Sequence, residues 1–97
     1  MALPVFEHRD VVRALEHKLG VTLERTREWK GWFIVDGRKI TKFSFPDAHG
    51  QKTLGHFAAR DLRKKSLVSD EEFVALIDCS LSREGYVERL RDSGHLG

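Results

Sequence analysis

The chain has a single cysteine in 97 residues. This excludes an internal disulfide and a cysteine-rich zinc site, and it suits a reducing, cytoplasmic setting. Cys79 ends an apolar helical stretch and reads as a small packed residue rather than a nucleophile. No apolar run approaches the roughly 20 residues of a membrane helix, so no membrane partner is expected. The N-terminal residues lack a basic stretch followed by a long apolar one, so no secretory leader is expected. There is no Gly-rich phosphate loop and no Gly-x-Ser-x-Gly elbow. Internal repeats and low-complexity segments are also missing. No cofactor is expected from a sequence with these gaps.

What the chain does have is segregated charge. Residues 38–65 carry eight Lys/Arg against two Asp/Glu, and residues 66–97 carry three against seven. Residues 1–37 balance, with six of each. The formal net charge of +2 therefore hides a basic middle joined to an acidic end. The field near a surface is set by nearby charges, so the basic segment attracts polyanions whatever the total. RNA or DNA is the first partner implied, and an acidic protein the second.

Hydrophobic spacing predicts a helix over 8–19, with Val12, Leu15 and Leu19 on one stripe and Gly20 as a left-handed C-cap. Residues 21–28 alternate as a strand with one wet face, and Lys30-Gly31 reads as a turn. Residues 32–35, a β-branched and aromatic run, read as a second strand. Asp36-Gly37 is a strong hairpin signal, because a type I′ turn needs positive φ at both central residues. Residues 38–45 form the third strand, with Thr41, Phe43 and Phe45 on one face and Ile40, Lys42 and Ser44 on the other. Pro46 ends it, since proline cannot donate to a ladder.

A second helix is predicted over about 53–64. Its apolar stripe is Leu54, Phe57, Ala58 and Leu62, and its opposite, basic face is His56, Arg60, Arg63 and Lys64. Ser69 and Glu72 form a capping box for a third helix, with Val68 and Phe73 as its staple and Phe73, Val74, Leu76 and Ile77 facing inward. Ser82 opens a last helix with Tyr86, Val87 and Leu90 on its apolar side. Residues 93–97 read as a flexible tail. The order predicts one α+β two-layer domain, α-β-β-β-α with additional C-terminal helices. One sheet face packs on helices and the other is left open.

The residue types suggest two kinds of chemistry. Trp29, Trp32 and Phe33 lie among cations, and aromatics beside cations stack unpaired bases. Residues 32 and 33 point to opposite sheet faces, so one of them can reach the open face. His49 and His56 are the histidines nearest the basic region. Two imidazoles can take the 2′-hydroxyl proton and protonate the leaving oxygen in RNA transesterification, with Lys42, Lys52 or Arg60 holding the phosphorane. The other three histidines, His8, His17 and His95, read as surface groups. The His49-x6-His56 spacing and the lack of a nearby Cys or Asp pair to complete a tetrahedron argue against a metal site.

In order and spacing, several pieces resemble the HicA/YcfA-like family, small toxins of bacterial toxin–antitoxin pairs. The pieces are Arg9 to Glu16 in the first helix, Lys30-Gly31, Pro46 with His49-Gly50, residues 54–62, and residues 67–73 at the entry to the third helix. The resemblance covers about residues 8–77 and implies a double-stranded-RNA-binding-domain-like core, with residues 78–92 as an extra helix. It implies an mRNA interferase neutralised by an antitoxin-like protein. The family has Gly-Ser-His or Gly-Thr-His after its first strand, and that histidine is catalytic. Here Gly31 is followed by Trp32 and Phe33, so no residue inherits that role. The later Pro-x-His is approximated by Pro46-Asp47-Ala48-His49, one residue longer.

Three functional readings follow. The first is an RNA-binding domain of impaired or no nuclease activity, with contacts from Lys30, Trp32, Lys39, Lys42, Lys52, Arg60, Arg63 and Lys64. The second is a metal-independent ribonuclease using His49 and His56. The third is a protein-interaction module whose basic face receives an acidic partner, or the acidic helices of a second copy in a weak homodimer.

Overall fold

The computed structural model describes residues 3–47, 50–78 and 80–95. His49 and Cys79 lie outside the described residues. The elements are α1 (His8–Arg13), continued by a π-helical segment (Ala14–Lys18), then β1 (Glu24–Arg25), β2 (Glu28–Val35), β3 (Arg38–Pro46), α2 (His56–Ser66), α3 (Asp70–Ile77) and α4 (Arg83–Asp92). The sheet is antiparallel in the order β1-β2-β3. This is the α+β class that the sequence predicts, with helices on one side of a three-stranded meander.

The Asp36-Gly37 turn forms as its residue types require, with φ of 51° and 77°. The Lys30-Gly31 turn does not form. Both residues lie inside β2, opposite Ser44 and Phe43. The reversal falls at Thr26-Arg27, where the Thr26 amide donates to the Glu28 carbonyl at 3.0 Å. Gly31 serves a different purpose. A Cβ there would stand 2.4 Å from the Thr22 carbonyl oxygen and 2.8 Å from Val21 Cγ1. Its missing side chain lets the 21–22 segment cross β2 at close range, which buries Val21 and leaves β1 only two residues long.

The inner sheet face holds Trp29, Gly31 and Phe33 opposite Phe45, Phe43 and Thr41. Phe33, Phe43 and Phe45 are buried in the core with Val11, Leu15 and Leu62. Trp29 stacks on Phe45 with ring centroids 6.3 Å apart and is tied down by its indole N–H, which donates to Asp47 Oδ1 at 3.1 Å. His8 is not a surface group as its sequence context suggested. It is 8 % exposed, within hydrogen-bond reach of the Pro46 carbonyl at 3.3 Å, and edge-on to Trp29 and Phe45.

The second helix starts three residues later than its periodicity predicts. Residues 52–54 pair instead with residues 6–8: the His8 amide donates to the Lys52 carbonyl and the Leu54 amide to the Phe6 carbonyl. With those groups held in extended pairing, α2 begins at His56, and Ala59, Leu62 and Ser66 form its buried side. Phe57, predicted to lie on the apolar stripe, is 82 % exposed.

The capping box of α3 forms: the Glu72 amide donates to Ser69 Oγ at 3.2 Å and the Ser69 amide to Glu72 Oε1 at 3.1 Å. Helix α4 packs into the same core. Tyr86 and Leu90 are fully buried, the Tyr86 ring lies 5.1 Å from that of Phe33, and Arg89 pairs with Glu72 at 2.9 Å. The Tyr86 hydroxyl donates to the Ser66 carbonyl at 2.7 Å. Burial pushes its phenol well above the ordinary tyrosine range near pH 10.

A raised folded-state pKa means that this contribution to stability is complete below the unfolded value and is lost as pH rises above it. Stability should therefore fall from about pH 10 upward. Tyr86 is the only tyrosine, so phenolate absorbance reports on it alone. That absorbance should rise only together with the loss of circular dichroism, and Tyr86→Phe should flatten the alkaline slope. Phenolate formation in a protein still folded by circular dichroism would contradict the buried hydroxyl.

Candidate nucleic-acid interface

β-Strand alternation decides which of the basic residues share a surface. Lys30 and Trp32 of β2 face outward opposite Ser44 and Lys42 of β3. By simple alternation Lys39 would fall on the inner face with Thr41, Phe43 and Phe45. A β-bulge intervenes: Phe33 pairs with Thr41, but Ile34 pairs with Lys39, leaving Ile40 as the extra residue. One inserted residue reverses the facing of everything beyond it. Lys39 therefore joins the outer face.

The result is a wet sheet face with an aromatic centre. Trp32 is 39 % exposed and Ile34 46 %. Lys39 Nζ lies 5.2 Å above the Trp32 ring, within cation–π range. Lys30, Trp32, Ile34 and Lys42 line a cleft of about 330 Å³, whose opposite wall is Gly20, Thr22 and Glu24. Lys30, Lys39 and Lys42 against Glu24 and Glu28 leave the face with a small positive balance. The sequence left open which of Trp32 and Phe33 reaches solvent. It is Trp32, because Phe33 is covered by Tyr86 on the helical side.

The other predicted contacts lie elsewhere. His56, Arg60 and Lys64 are exposed along α2, in the helical layer rather than on the open sheet face. Arg63 is engaged with Asp70 at 3.0 Å, and Lys65 with Asp61 at 2.8 Å. Lys52 borders a separate cleft with Glu7, His8, Arg9 and Gln51. Among the described residues Lys30, Lys39, Lys42, Lys52, Arg60 and Lys64 are in no ion pair. The eight predicted contacts thus divide into a sheet group of four, two free cations on α2, Lys52 at its own cleft, and Arg63 tied to α3.

The predicted histidine pair cannot be assembled from the described residues, since His49 lies outside them. Among the described residues none hydrogen-bonds to the His56 imidazole, and its one ring neighbour among them is Phe57 at 6.0 Å. Sequence reasoning missed Ile34 and Phe57 as exposed apolar groups. Ile34 has a signal after the fact, because it shares the parity of Trp32.

No helix among the described residues is long and apolar enough to cross a membrane. In comparisons with known proteins, no family model matches the chain, and no curated protein or solved structure is significantly similar to it.

Proposed function

We propose that this domain binds single-stranded RNA on its open sheet face. The observation that carries the reading is Trp32, partly exposed at the centre of a cleft, with Lys39 over its ring and Lys30 and Lys42 beside it. An indole presented to solvent among cations offers a platform for one unpaired base and a positive track for its flanking phosphates. Duplex bases are already stacked and cannot use it. The choice of RNA rests on the resemblance of residues 8–77 to the HicA/YcfA-like toxins. No cleavage step is part of the reading, because Trp32 and Phe33 stand where that family's catalytic triplet continues.

The test is fluorescence polarisation with labelled single- and double-stranded RNA of one sequence across a salt series. Three phosphate contacts give a log–log salt slope of about −2 for a single strand. Removing a stacking aromatic costs about 1–3 kcal/mol per base, so Trp32→Ala should weaken single-strand binding roughly 5- to 150-fold. Trp32→Phe should retain most of it. Trp32→Ala binding as tightly as the parent, or a parent preferring duplex, would remove the sheet face as the site.

A further inference from the structure

Helix α2 carries His56, Arg60 and Lys64 at i, i+4 and i+8, all exposed. Helix α4 carries Glu84, Glu88 and Asp92 at the same intervals, also exposed. Among the described residues none of the six is in an ion pair. Positions four apart on a helix are about 6 Å apart along its axis and nearly in line. The two rows are therefore straight, equally spaced and opposite in kind. Both helices turn their other sides into one core, through Ala59 and Leu62 on α2 and through Tyr86 and Leu90 on α4. The rows consequently face solvent, and each copy of the chain holds both halves of a complementary pair.

We propose that these rows are an interface between two copies of this chain, α2 of one against α4 of the other. The antiparallel arrangement is favoured, placing Arg60 by Glu88, Lys64 by Glu84 and His56 by Asp92. It opposes the two helix dipoles, and it gives Asp92, at the negative end of α4, a partner at the positive end of α2. Phe57, 82 % exposed beside Arg60 and Lys64, supplies the apolar contact that a row of charges lacks. Arg91 lies on the same side of α4 and leaves it two net negative charges, which keeps the association weak and salt-dependent. The pairing covers the helical layer and leaves the open sheet face free, so it does not depend on RNA binding.

Sedimentation velocity over a concentration series tests it, without RNA, at about 50 mM and about 500 mM salt. The parent protein should self-associate at low salt and about tenfold or more weakly at high salt. Arg60→Glu and Glu88→Arg should each abolish the association, while circular dichroism remains that of the parent. The Arg60→Glu/Glu88→Arg double variant should recover it, since each reversed charge meets the other across the interface. A parent that stays monomeric at low salt overturns the proposal. So do single variants that associate like the parent, and so does a folded double variant that fails to recover.

Discussion

A chain ending at Ile77 is expected to be unfolded, although residues 8–77 contain every element of the core that the sequence resemblance delimits. Such a chain lacks Tyr86 and Leu90, both fully buried. Burying side chains of this kind is worth about 1.5–3 kcal/mol each, and the Tyr86–Ser66 hydrogen bond adds about 1 kcal/mol. The truncation also bares Phe33, whose ring lies 5.1 Å from Tyr86, and leaves Glu72 without Arg89. Together these losses approach the 5 kcal/mol or so at the lower end of a small domain's whole stability. Circular dichroism and a thermal melt give the answer. A cooperative transition from residues 1–77 would show that α4 is an appendage. Tyr86→Phe in the full chain should be far milder, because it removes the hydroxyl and keeps the ring.

Gly31 and Gly37 should respond oppositely to the same substitution. At Gly31 any side chain meets the Thr22 carbonyl, which is backbone and cannot rotate aside. Gly31→Ala is expected to cost about 1–3 kcal/mol, as overpacking does, and to lower Tm by roughly 4–8 °C for each of those. Gly31→Asn, being larger, should be worse. Gly37 sits at positive φ with nothing within 4 Å of its missing Cβ. There Asn tolerates the left-handed conformation better than Ala, so Gly37→Asn should be milder than Gly37→Ala. If Gly31→Asn were the milder change at position 31, Gly31 would be behaving as the turn residue that the sequence suggested.

These two glycines also show where sequence reading succeeded. Asp36-Gly37 was legible because an isolated dipeptide with positive φ is a local demand that local residue types answer. Lys30-Gly31 resembles a turn for the same reason, but Gly31 answers a demand from residues 21–22 crossing the strand, and no local pattern records that crossing. His8 was misread similarly: a histidine among charged neighbours looks solvated until Trp29, Phe45 and Pro46 converge on it from distant parts of the chain. Phe57 was placed on an apolar stripe that requires helix from residue 53. Pairing of residues 52–54 with 6–8 delayed the helix, and Phe57 was left outside.

The candidate site divides along the same line. Composition alone located the positive charge in residues 38–65, and parity placed either Trp32 or Phe33 on the open face. Composition could not tell that Arg63 is spent on Asp70, because an ion pair between helices depends on how they dock. Lys39 reaches Trp32 only because of the bulge at Ile40, a register change fixed by the pairing of two whole strands.

By itself the sequence determined the α+β class, the order of helices and strands, the hairpin at Asp36-Gly37, the capping box at Ser69 and the basic middle. Each of these depends on residues within a few positions of one another, where propensity, capping and alternation act directly. Only the tertiary structure decided which cations stay free, which aromatic is wet, where α2 begins and that α4 completes the core. Those outcomes depend on groups far apart in the chain competing for the same buried space, and no local pattern ranks such competitors.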